Sequence, residues 1–299
     1  MSSRATKRLC ELGDFLPGAF VLALLAGAGT VRADEPAPSV EFPSEGRTLK
    51  GWVYKPTGTQ PGARFPAVIW NHGSNPVVNP PEALARLYND HGFVVFYPVR
   101  RNHQPSTQGP SVMDLITSAP DRAQAWIRYN EEENHDVFSA LDWLKKQPYV
   151  DPERIMVSGV SFGGVQTLLA AEKGGGFRLA IAFAPGAMSW RDGRGPIPER
   201  LERAVKNRKL PLFILQARND FNLGPTNVLG PLLDRVRLPH QVKQYPDFGV
   251  RAPGMSDDEW HGLGHGAFAT RGGEVWGADV FAFIEEALKQ ALPSTSAAR

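Results

Sequence analysis

Short, almost wholly apolar runs recur along this sequence, and segments with helical spacing separate them. The runs are FPAVIWN (65–71), FVVFYPV (93–99), RLAIAFAP (178–185) and LPLFILQA (210–217). Short strands that are apolar throughout are typical of parallel sheets, because helices cover both faces of such a sheet. The segments PPEALARLYNDH (80–91) and DVFSALDWLKKQ (136–147) have apolar residues at helical spacing. This alternation predicts an α/β fold with a mostly parallel, doubly wound sheet and helices on both faces.

A single domain accounts for the whole pattern. The early segment 39–56 alternates polar and apolar residues, as an antiparallel hairpin at a sheet edge would. The chain has 299 residues, of which 42% are hydrophobic, so it can bury one large core. The segment that follows the run 178–185 is too short for a large lid domain. We therefore expect a fairly open site at one edge of the sheet.

The first residues differ in character from the rest of the chain. Basic residues precede a mostly apolar stretch at 15–30, and Val-Arg-Ala at 31–33 offers small or apolar residues where a signal peptidase reads. This pattern predicts a secretory signal peptide over 1–33 and an exported, periplasmic or secreted domain over 34–299. The alternative is a membrane anchor, which the short stretch and its interruption by Pro17 disfavour.

The segment IMVSGV (155–160) runs directly into Ser161 within the string Gly-Val-Ser-Phe-Gly, and a helical segment follows. A serine hydroxyl is a weak nucleophile that needs a neighbouring base and must project from the backbone. A sharp turn from strand to helix projects it, and glycines two residues before and after prevent crowding. The alternative is a tight turn without a catalytic role. The strand before the serine and the helix after it favour a nucleophile.

A serine nucleophile requires a carboxylate and a histidine later in the chain. Asp220 follows the apolar run 210–217, at the strand end where active-site loops of open sheets gather. His265 has small neighbours and lies close to the C-terminal helical segment, so we favour it over His261 as the base. The order Ser, Asp, His is typical of α/β-hydrolases. The competing carboxylates are Asp247, which is the strongest of them, Asp257 and Asp258.

Two backbone amides are predicted to stabilise an oxyanion. One is that of Phe162, at the start of the helix that follows the serine, where the helix dipole is positive. The other is that of Ser74 in the loop His-Gly-Ser-Asn, with Gly73 as the neighbouring alternative. His72 is expected to be a structural histidine that forms hydrogen bonds within this loop.

Substrate-binding residues are less well defined by the sequence. Arg100 and Arg101 follow a predicted strand and could bind a substrate carboxylate, although structural salt bridges are the alternative. Trp190 and Trp260 could line an aromatic pocket or could pack in the core or at its rim. Residues 100–125 form an insertion that could cover the site.

Several motifs together resemble the dienelactone hydrolase-like branch of the α/β-hydrolases, which grades into peptidases related to prolyl oligopeptidase. They are NHGSN, FYPVRRNHQPS, DVFSALDWLKKQPYVDPERIMVSGVSFGG, ARND and GHGAF. The resemblance implies an α/β-hydrolase fold and a Ser-Asp-His hydrolase, with Ser161, Asp220 and His265 at the matching positions. Dienelactone hydrolase has a cysteine nucleophile, whereas this chain has a serine. A general ester is therefore a better substrate prediction than a dienelactone.

The sequence gives no indication of a cofactor, a metal site or a nucleic-acid partner. Cys10 is the only cysteine and lies in the predicted leader, and the other histidines are scattered without ligand spacing. The net charge is +2 without long runs of one sign, which is unlike a nucleic-acid-binding chain. After cleavage of the leader we expect no membrane association, and the oligomeric state stays open.

The functional prediction is an exported serine hydrolase that cleaves a small or medium carboxylic ester through an acyl-enzyme. One alternative is a serine peptidase acting on short peptides, which would normally have an additional propeller-like domain. The other is a hydrolase-fold binding protein that has lost catalysis.

Overall fold

An eight-stranded sheet lies at the centre of this computed structural model, which describes residues 39–58, 62–190 and 195–289. The predicted signal peptide over 1–33 lies outside the described residues. The strands are β1 (Ser39–Ser44), β2 (Arg47–Tyr54), β3 (Phe65–Asn71), β4 (Val94–Pro98), β5 (Val150–Val160), β6 (Ala180–Phe183), β7 (Leu212–Ala217) and β8 (His240–Tyr245). Their order in the sheet is β1-β2-β4-β3-β5-β6-β7-β8.

The strands β3 to β8 all run parallel to one another. Strands β1 and β2 form an antiparallel hairpin, and β2 joins the sheet by pairing antiparallel with β4. Both the mostly parallel sheet and the edge hairpin are therefore confirmed. The chain places β4 on one side of β3 and β5 on the other, so the direction of winding changes at β3. The loops that follow β3 and β5 consequently diverge around a crevice, which is where open α/β sheets bind ligands.

Helices cover both faces of the sheet, as predicted. They are α1 (Glu82–Asp90), α2 (Val112–Thr117), α3 (Arg122–Lys145), α4 (Phe162–Lys173), α5 (Pro196–Lys206), α6 (Gly224–Leu233), α7 (Asp257–Gly262), α8 (Phe268–Arg271) and α9 (Gly273–Lys289). A 3-10 turn, Ala187–Trp190, precedes α5, and a π-helical turn, Leu263–Ala267, joins α7 to α8. No helix in the described part of the chain is long and apolar enough to cross a membrane.

The two faces of the central strands bury their side chains in separate layers. In β3, Ala67 and Ile69 belong to the layer formed with α3, α4, α5 and α6, whereas Val68 and Trp70 belong to the layer formed with α1, α8 and α9. Successive side chains of a strand point to opposite faces, so a strand between two helical layers must be apolar at every position. This requirement explains the uninterrupted apolar runs of the sequence.

The insertion at 100–125 is more ordered than a loop. It contains α2, which begins at a capping box in which the Ser111 hydroxyl accepts from the Asp114 amide and the Asp114 carboxylate accepts from the Ser111 amide. It also contains the first turn of α3, whose N-cap is Asp121. The helix predicted at 136–147 is thus the second half of a 24-residue helix.

Candidate active site

Ser161 occupies a sharp turn between β5 and α4 in a backbone conformation that L-residues rarely adopt, with φ 59° and ψ −117°. Its amide donates to the Phe183 carbonyl at 3.0 Å, and its own carbonyl accepts from the amides of Val165 and Gly186 at 3.0 and 3.1 Å. These bonds hold the serine in a conformation that is unfavourable by itself. The hydroxyl is thereby presented at the carboxyl edge of the sheet.

The glycines around Ser161 are required by close packing of backbone on backbone. A Cβ added at Gly163 would lie 2.0 Å from the Asn71 carbonyl oxygen, and one added at Gly159 would lie 2.6 Å from the Gly163 carbonyl oxygen. Neither contact is possible for a side chain, because non-bonded carbon and oxygen atoms cannot approach so closely. The turn therefore fits against the end of β3 only with glycine at both positions.

Asp220 and His265 form a buried pair. His265 Nδ1 lies 2.8 Å from Asp220 Oδ1, and the exposed fractions of the two residues are 8% and 4%. The carboxylate is acceptor-only, so Nδ1 carries the proton and donates it. In the neutral imidazole this tautomer leaves a lone pair on Nε2, which is the form that a general base needs.

Other groups fix both oxygens of the Asp220 carboxylate. Oδ1 also accepts from the Phe221 amide at 2.6 Å, and Oδ2 accepts from Gln216 Nε2 at 3.1 Å. Gln216 is fully buried, and its Oε1 accepts from the amide and the hydroxyl of Thr226, each at 3.2 Å. Gln216 is a supporting residue that sequence reasoning missed. Its signal was a lone polar residue within the apolar run 210–217.

His265 Nε2 is buried and has no hydrogen-bond partner among the described residues. His265 and Ser161 nevertheless line the same pocket. The structure thus forms the Asp220–His265 link and places the serine at the same pocket, without a hydrogen bond between Ser161 and His265. In free enzymes such a bond is often long and shortens only when substrate is bound.

The competing histidine and carboxylates occupy other environments. The His261 ring bonds through Nδ1 to the Asn219 carbonyl at 3.1 Å rather than to a carboxylate. The competing carboxylates are all exposed: Asp247, Asp257 and Asp258. The structure therefore pairs Asp220 with His265 and with no other histidine.

Asn219 joins three segments around this pair. Its Oδ1 accepts from the Phe248 amide at 2.9 Å, and its Nδ2 donates to the carbonyls of Phe248 and Trp260, both at 3.1 Å. A Cβ at Gly264 would lie 2.5 Å from Asn219 Oδ1 and 2.6 Å from the Asn219 backbone. The histidine-bearing turn therefore packs directly on the loop of the acid. Gly264 is the glycine that permits this contact, whereas nothing lies within 4 Å of a Cβ at Gly266.

Both predicted oxyanion donors lie beside Ser161. Phe162 is the first residue of α4, where amides have no partner within the helix and the dipole is positive. Ser74 lines both pockets that Ser161 lines. A Cβ at Gly73 would be 3.8 Å from the Ser161 Cβ, so the loop after β3 passes within contact distance of the serine.

Two pockets of different character meet at Ser161, Ser74 and Met188. The first has a volume of about 440 Å³ and is mostly apolar, with walls from α2, α3, α4 and α5 that include Met113, Ala123, Trp126, Phe162, Val165, Ile197 and Pro198. The second, of about 450 Å³, contains His265 and more polar groups, among them His72, Asn75, Asn79, Tyr97 and Thr270. The described lining of the first pocket contains no ionisable side chain.

The predicted substrate contacts of Arg100 and Arg101 are corrected by their burial. Arg100 is fully buried, and its Nε donates to Glu133 at 2.8 Å. Arg101 is 6% exposed and pairs with Asp136 at 2.7 Å and with Glu45 at 2.8 Å. Neither arginine lines either pocket, so the alternative of structural salt bridges describes both.

The two predicted tryptophans also lie away from the pockets. Trp190 is 2% exposed and packs in the core, where its ring approaches the backbone of Gly224. Trp260 is half-buried on α7 and lines neither pocket. The tryptophan that does line the apolar pocket is Trp126 on α3, whose ring centroid lies 5.3 Å from that of Phe162. No pattern in the sequence distinguishes Trp126 from a core residue.

Within residues 39–58, 62–190 and 195–289, no group of three or more histidine, cysteine or acidic side chains could hold a metal ion.

Residues 122–192, which extend from α3 past the serine turn, match the model of the prolyl oligopeptidase family. A polyketide transferase, grgF, of Penicillium sp is 31% identical over 155 residues, covering 50% of this chain and 45% of that protein. Dipeptidyl-peptidase 5 of Porphyromonas gingivalis is 22% identical over 247 residues, covering 68% of this chain and 33% of that protein. This chain spans less than half the length of these two relatives.

Solved structures show the same fold at low sequence identity. An acylaminoacyl peptidase of Pyrococcus horikoshii superposes with a TM-score of 0.55 at 19% identity, over 89% of this chain and 43% of that chain. The α/β hydrolase GrgF of Penicillium sp. sh18 superposes with a TM-score of 0.57 at 17% identity, over 86% of this chain and 100% of that chain. The narrower dienelactone hydrolase-like resemblance stays a prediction. The chain thus has the α/β-hydrolase fold, and its residues 122–192 are similar to the prolyl oligopeptidase family.

Proposed function

We propose that this protein is a serine peptidase that acts on short peptides through an acyl-enzyme, with Ser161 as nucleophile, His265 as base and Asp220 as the orienting carboxylate. The observation that carries the proposal is the buried 2.8 Å hydrogen bond between Asp220 and His265, in a histidine whose Nε2 is unpaired and which lines the same pocket as Ser161. An imidazole with one nitrogen on a carboxylate and the other unpaired, at the same pocket as a strained serine, is the arrangement that acyl transfer requires.

The catalytic cycle follows from these positions. His265 Nε2 takes the proton of the Ser161 hydroxyl while Oγ bonds to the substrate carbonyl carbon, and the carbonyl electron pair moves to oxygen. The amides of Phe162 and Ser74 donate to this oxyanion. When the tetrahedral adduct collapses, the bond to the leaving nitrogen breaks and His265 returns its proton to the leaving amine. Water then repeats both steps on the acyl-enzyme and restores the Ser161 hydroxyl.

The two pockets indicate which way round the substrate binds. The leaving group must lie beside the acid that protonates it, so it occupies the pocket that contains His265. The acyl part then occupies the apolar pocket of about 440 Å³. Because the described lining of that pocket contains no ionisable side chain, we expect the residue before the cleaved bond to be apolar and uncharged.

The comparisons favour a peptide substrate over the ester that the sequence predicts. The relatives include dipeptidyl peptidases and an acylaminoacyl peptidase by name. Ester hydrolysis is the second candidate, because GrgF, whose whole chain is matched in the structural comparison, is named a polyketide transferase rather than a peptidase. Export of the protein stays a proposal based on the sequence of its first 33 residues.

A matched substrate panel tests the proposal. Short peptide nitroanilides ending in Phe, Leu, Asp or Lys would be compared with nitrophenyl esters of the same acyl groups, for the wild type and for Ser161→Ala. We expect turnover of the Phe and Leu amides and a loss of at least about 10⁴-fold in Ser161→Ala. Ester turnover without amide turnover would favour the second candidate. Equal activity in Ser161→Ala would exclude Ser161 as the nucleophile.

A further inference from the structure

A buried ionic cluster that the catalytic cycle does not use lies beneath the loop after β3. Arg100 and Glu133 both have no exposed side-chain surface, and Arg100 Nε donates to Glu133 Oε2 at 2.8 Å. His103 is equally buried, and its Nε2 lies 3.3 Å from Glu133 Oε1, within ion-pair distance but not aligned for a hydrogen bond. Burying charged groups away from water is costly. The cluster therefore calls for a role beyond packing.

The cluster holds the carbonyl groups of the loop that contains Ser74. Arg100 Nη2 donates to the carbonyl oxygens of His72 and Gly73, at 2.9 and 3.2 Å. His103 Nδ1 donates to the Asn75 carbonyl at 2.8 Å. Three carbonyls around Ser74 are thus drawn towards the buried side of the loop.

His72 adds a second donor to the Gly73 carbonyl. The Arg100 amide donates to His72 Nε2 at 3.2 Å, so in the neutral ring the proton resides on Nδ1 and is donated to the Gly73 oxygen at 2.7 Å. Burial, reinforced by the charge of Arg100, lowers the pKa of His72 well below 6.5 and keeps the ring neutral. The Gly73 oxygen therefore has two donors on one side.

The Gly73–Ser74 peptide transmits this anchoring to the active site. In a planar trans peptide, the carbonyl oxygen and the amide hydrogen point in opposite directions. Because the Gly73 oxygen is held towards Arg100, the Ser74 N–H points away from Arg100. Ser74 and Ser161 line the same two pockets. Arg100 also lies 5.5 Å from the ring centroid of Phe162, which bears the other predicted donor.

We propose that Arg100, held by Glu133, is a positioning residue that orients the Ser74 amide as an oxyanion donor. This inference rests on the proposed function. Arg100 does not contact the substrate, since it is fully buried and lines neither pocket. Its planar guanidinium reaches a carboxylate and two carbonyls at once, which a lysine ammonium cannot reproduce.

The test compares Arg100→Lys and Glu133→Gln with the wild type, and Arg101→Met serves as the matched control. Arg101 is adjacent, buried and paired with a carboxylate of α3, but it contacts the β1–β2 hairpin instead of the loop. The readouts are kcat and KM for a peptide nitroanilide and the affinity for a peptidyl trifluoromethyl ketone, whose adduct with a serine carries an oxyanion. Titration of active sites and thermal unfolding normalise for the folded fraction.

We expect kcat to fall about 10- to 100-fold in Arg100→Lys and Glu133→Gln, with KM within about threefold, because only transition-state stabilisation is lost. Ketone affinity should fall by the same factor as kcat/KM. Arg101→Met should lower stability and leave kcat per active site within about twofold of the wild type.

Two kinds of result would overturn the inference. If the wild type binds the ketone through Ser161 and both variants retain kcat and ketone affinity within about twofold, the positioning role is wrong and the proposed function stands. If the wild type fails to bind the ketone, or Ser161→Ala binds it equally well, the proposed function fails and the inference fails with it.

Discussion

The strained conformation of Ser161 connects stability to activity at a single residue. At φ 59° the Ser161 Cβ crowds the backbone, and hydrogen bonds from neighbouring segments hold it there. Glycine adopts such conformations without a Cβ penalty. The strained conformation of Ser161, the proposed nucleophile, should therefore lower the stability of the folded protein.

We predict that Ser161→Gly is more stable than Ser161→Ala by about 1–2 kcal/mol, because only alanine keeps the strained Cβ. Urea unfolding of both inactive variants measures the difference. An ordinary helix or strand position would show the reverse order, with alanine the more stable. Equal stability, or alanine above glycine, would show that the turn is not strained.

Two glycines near His265, Gly264 and Gly262, should respond differently to the same substitution. We predict that Gly264→Ala destabilises the protein by about 1–3 kcal/mol and lowers activity, because its Cβ would overlap Asn219. Gly262→Ala is the control, since it is in a helical conformation with nothing within 4 Å, and it should be neutral or stabilising by up to about 1 kcal/mol. Thermal unfolding and kcat/KM measure both effects. Identical behaviour of the two variants would contradict the packing described for the His265 turn.

At the scale of elements, the strands, the edge hairpin and the turn at Ser161 could be predicted because each is encoded locally. Apolar runs mark the buried strands, and the glycines around Ser161 mark the turn. Residues whose role depends on distant partners could not be assigned. Arg100 and Arg101 follow β4 as a substrate-binding arginine would, and only the tertiary fold brings Glu133 and Asp136 of α3 against them.

Trp190 and Trp126 show the same limit on the element scale. Both are tryptophans in segments near the site, yet the 3-10 turn directs Trp190 into the core, whereas the start of α3 places Trp126 at the apolar pocket. The direction of a side chain from a short turn is set by packing, which local sequence does not encode. Hydrophobic periodicity likewise does not predict the π-helical turn that contains His265.

The first turn of α3 should limit the size of the acyl group that the apolar pocket accepts. We predict that Ala123→Phe narrows the apolar pocket and lowers kcat/KM for a Phe acyl group relative to an Ala acyl group by about 10- to 200-fold. The control Arg128→Ala, on an exposed position of the same helix, should leave the ratio unchanged. The ratio of kcat/KM for the two nitroanilides is the measurement. An unchanged ratio in Ala123→Phe would place the acyl group elsewhere.

At the scale of the whole molecule, the buried His72 couples stability to pH. The pKa of His72 is held well below its ordinary value of 6.5 in the folded protein, chiefly by burial, whereas the unfolded chain should titrate near that value. Below about pH 6.5 the unfolded state binds a proton that the folded state excludes, so stability falls as the pH falls towards the folded pKa. Above pH 6.5 this contribution is constant.

We predict that, below about pH 6.5, His72 lowers the free energy of unfolding of the wild type by up to about 1.4 kcal/mol for each unit by which the pH falls. The variant His72→Gln should lack this contribution. Urea denaturation of both proteins at pH 7.5 and 5.5 gives, for each, the change in the free energy of unfolding with pH. The contributions of the other titrating groups cancel in the difference between these two slopes. Parallel slopes for the two proteins would show that folding does not lower the pKa of His72.

The central claim is that the base His265, oriented by Asp220, activates Ser161, and labelling with a fluorophosphonate tests it most directly. The rate of labelling would be measured for the wild type and for His265→Gln and Asp220→Asn, and the labelled residue would be located by peptide mass spectrometry. We predict a single label on Ser161 whose rate falls at least about 10³-fold in His265→Gln and substantially in Asp220→Asn. A label on another residue, or an unchanged rate in His265→Gln, would contradict the account.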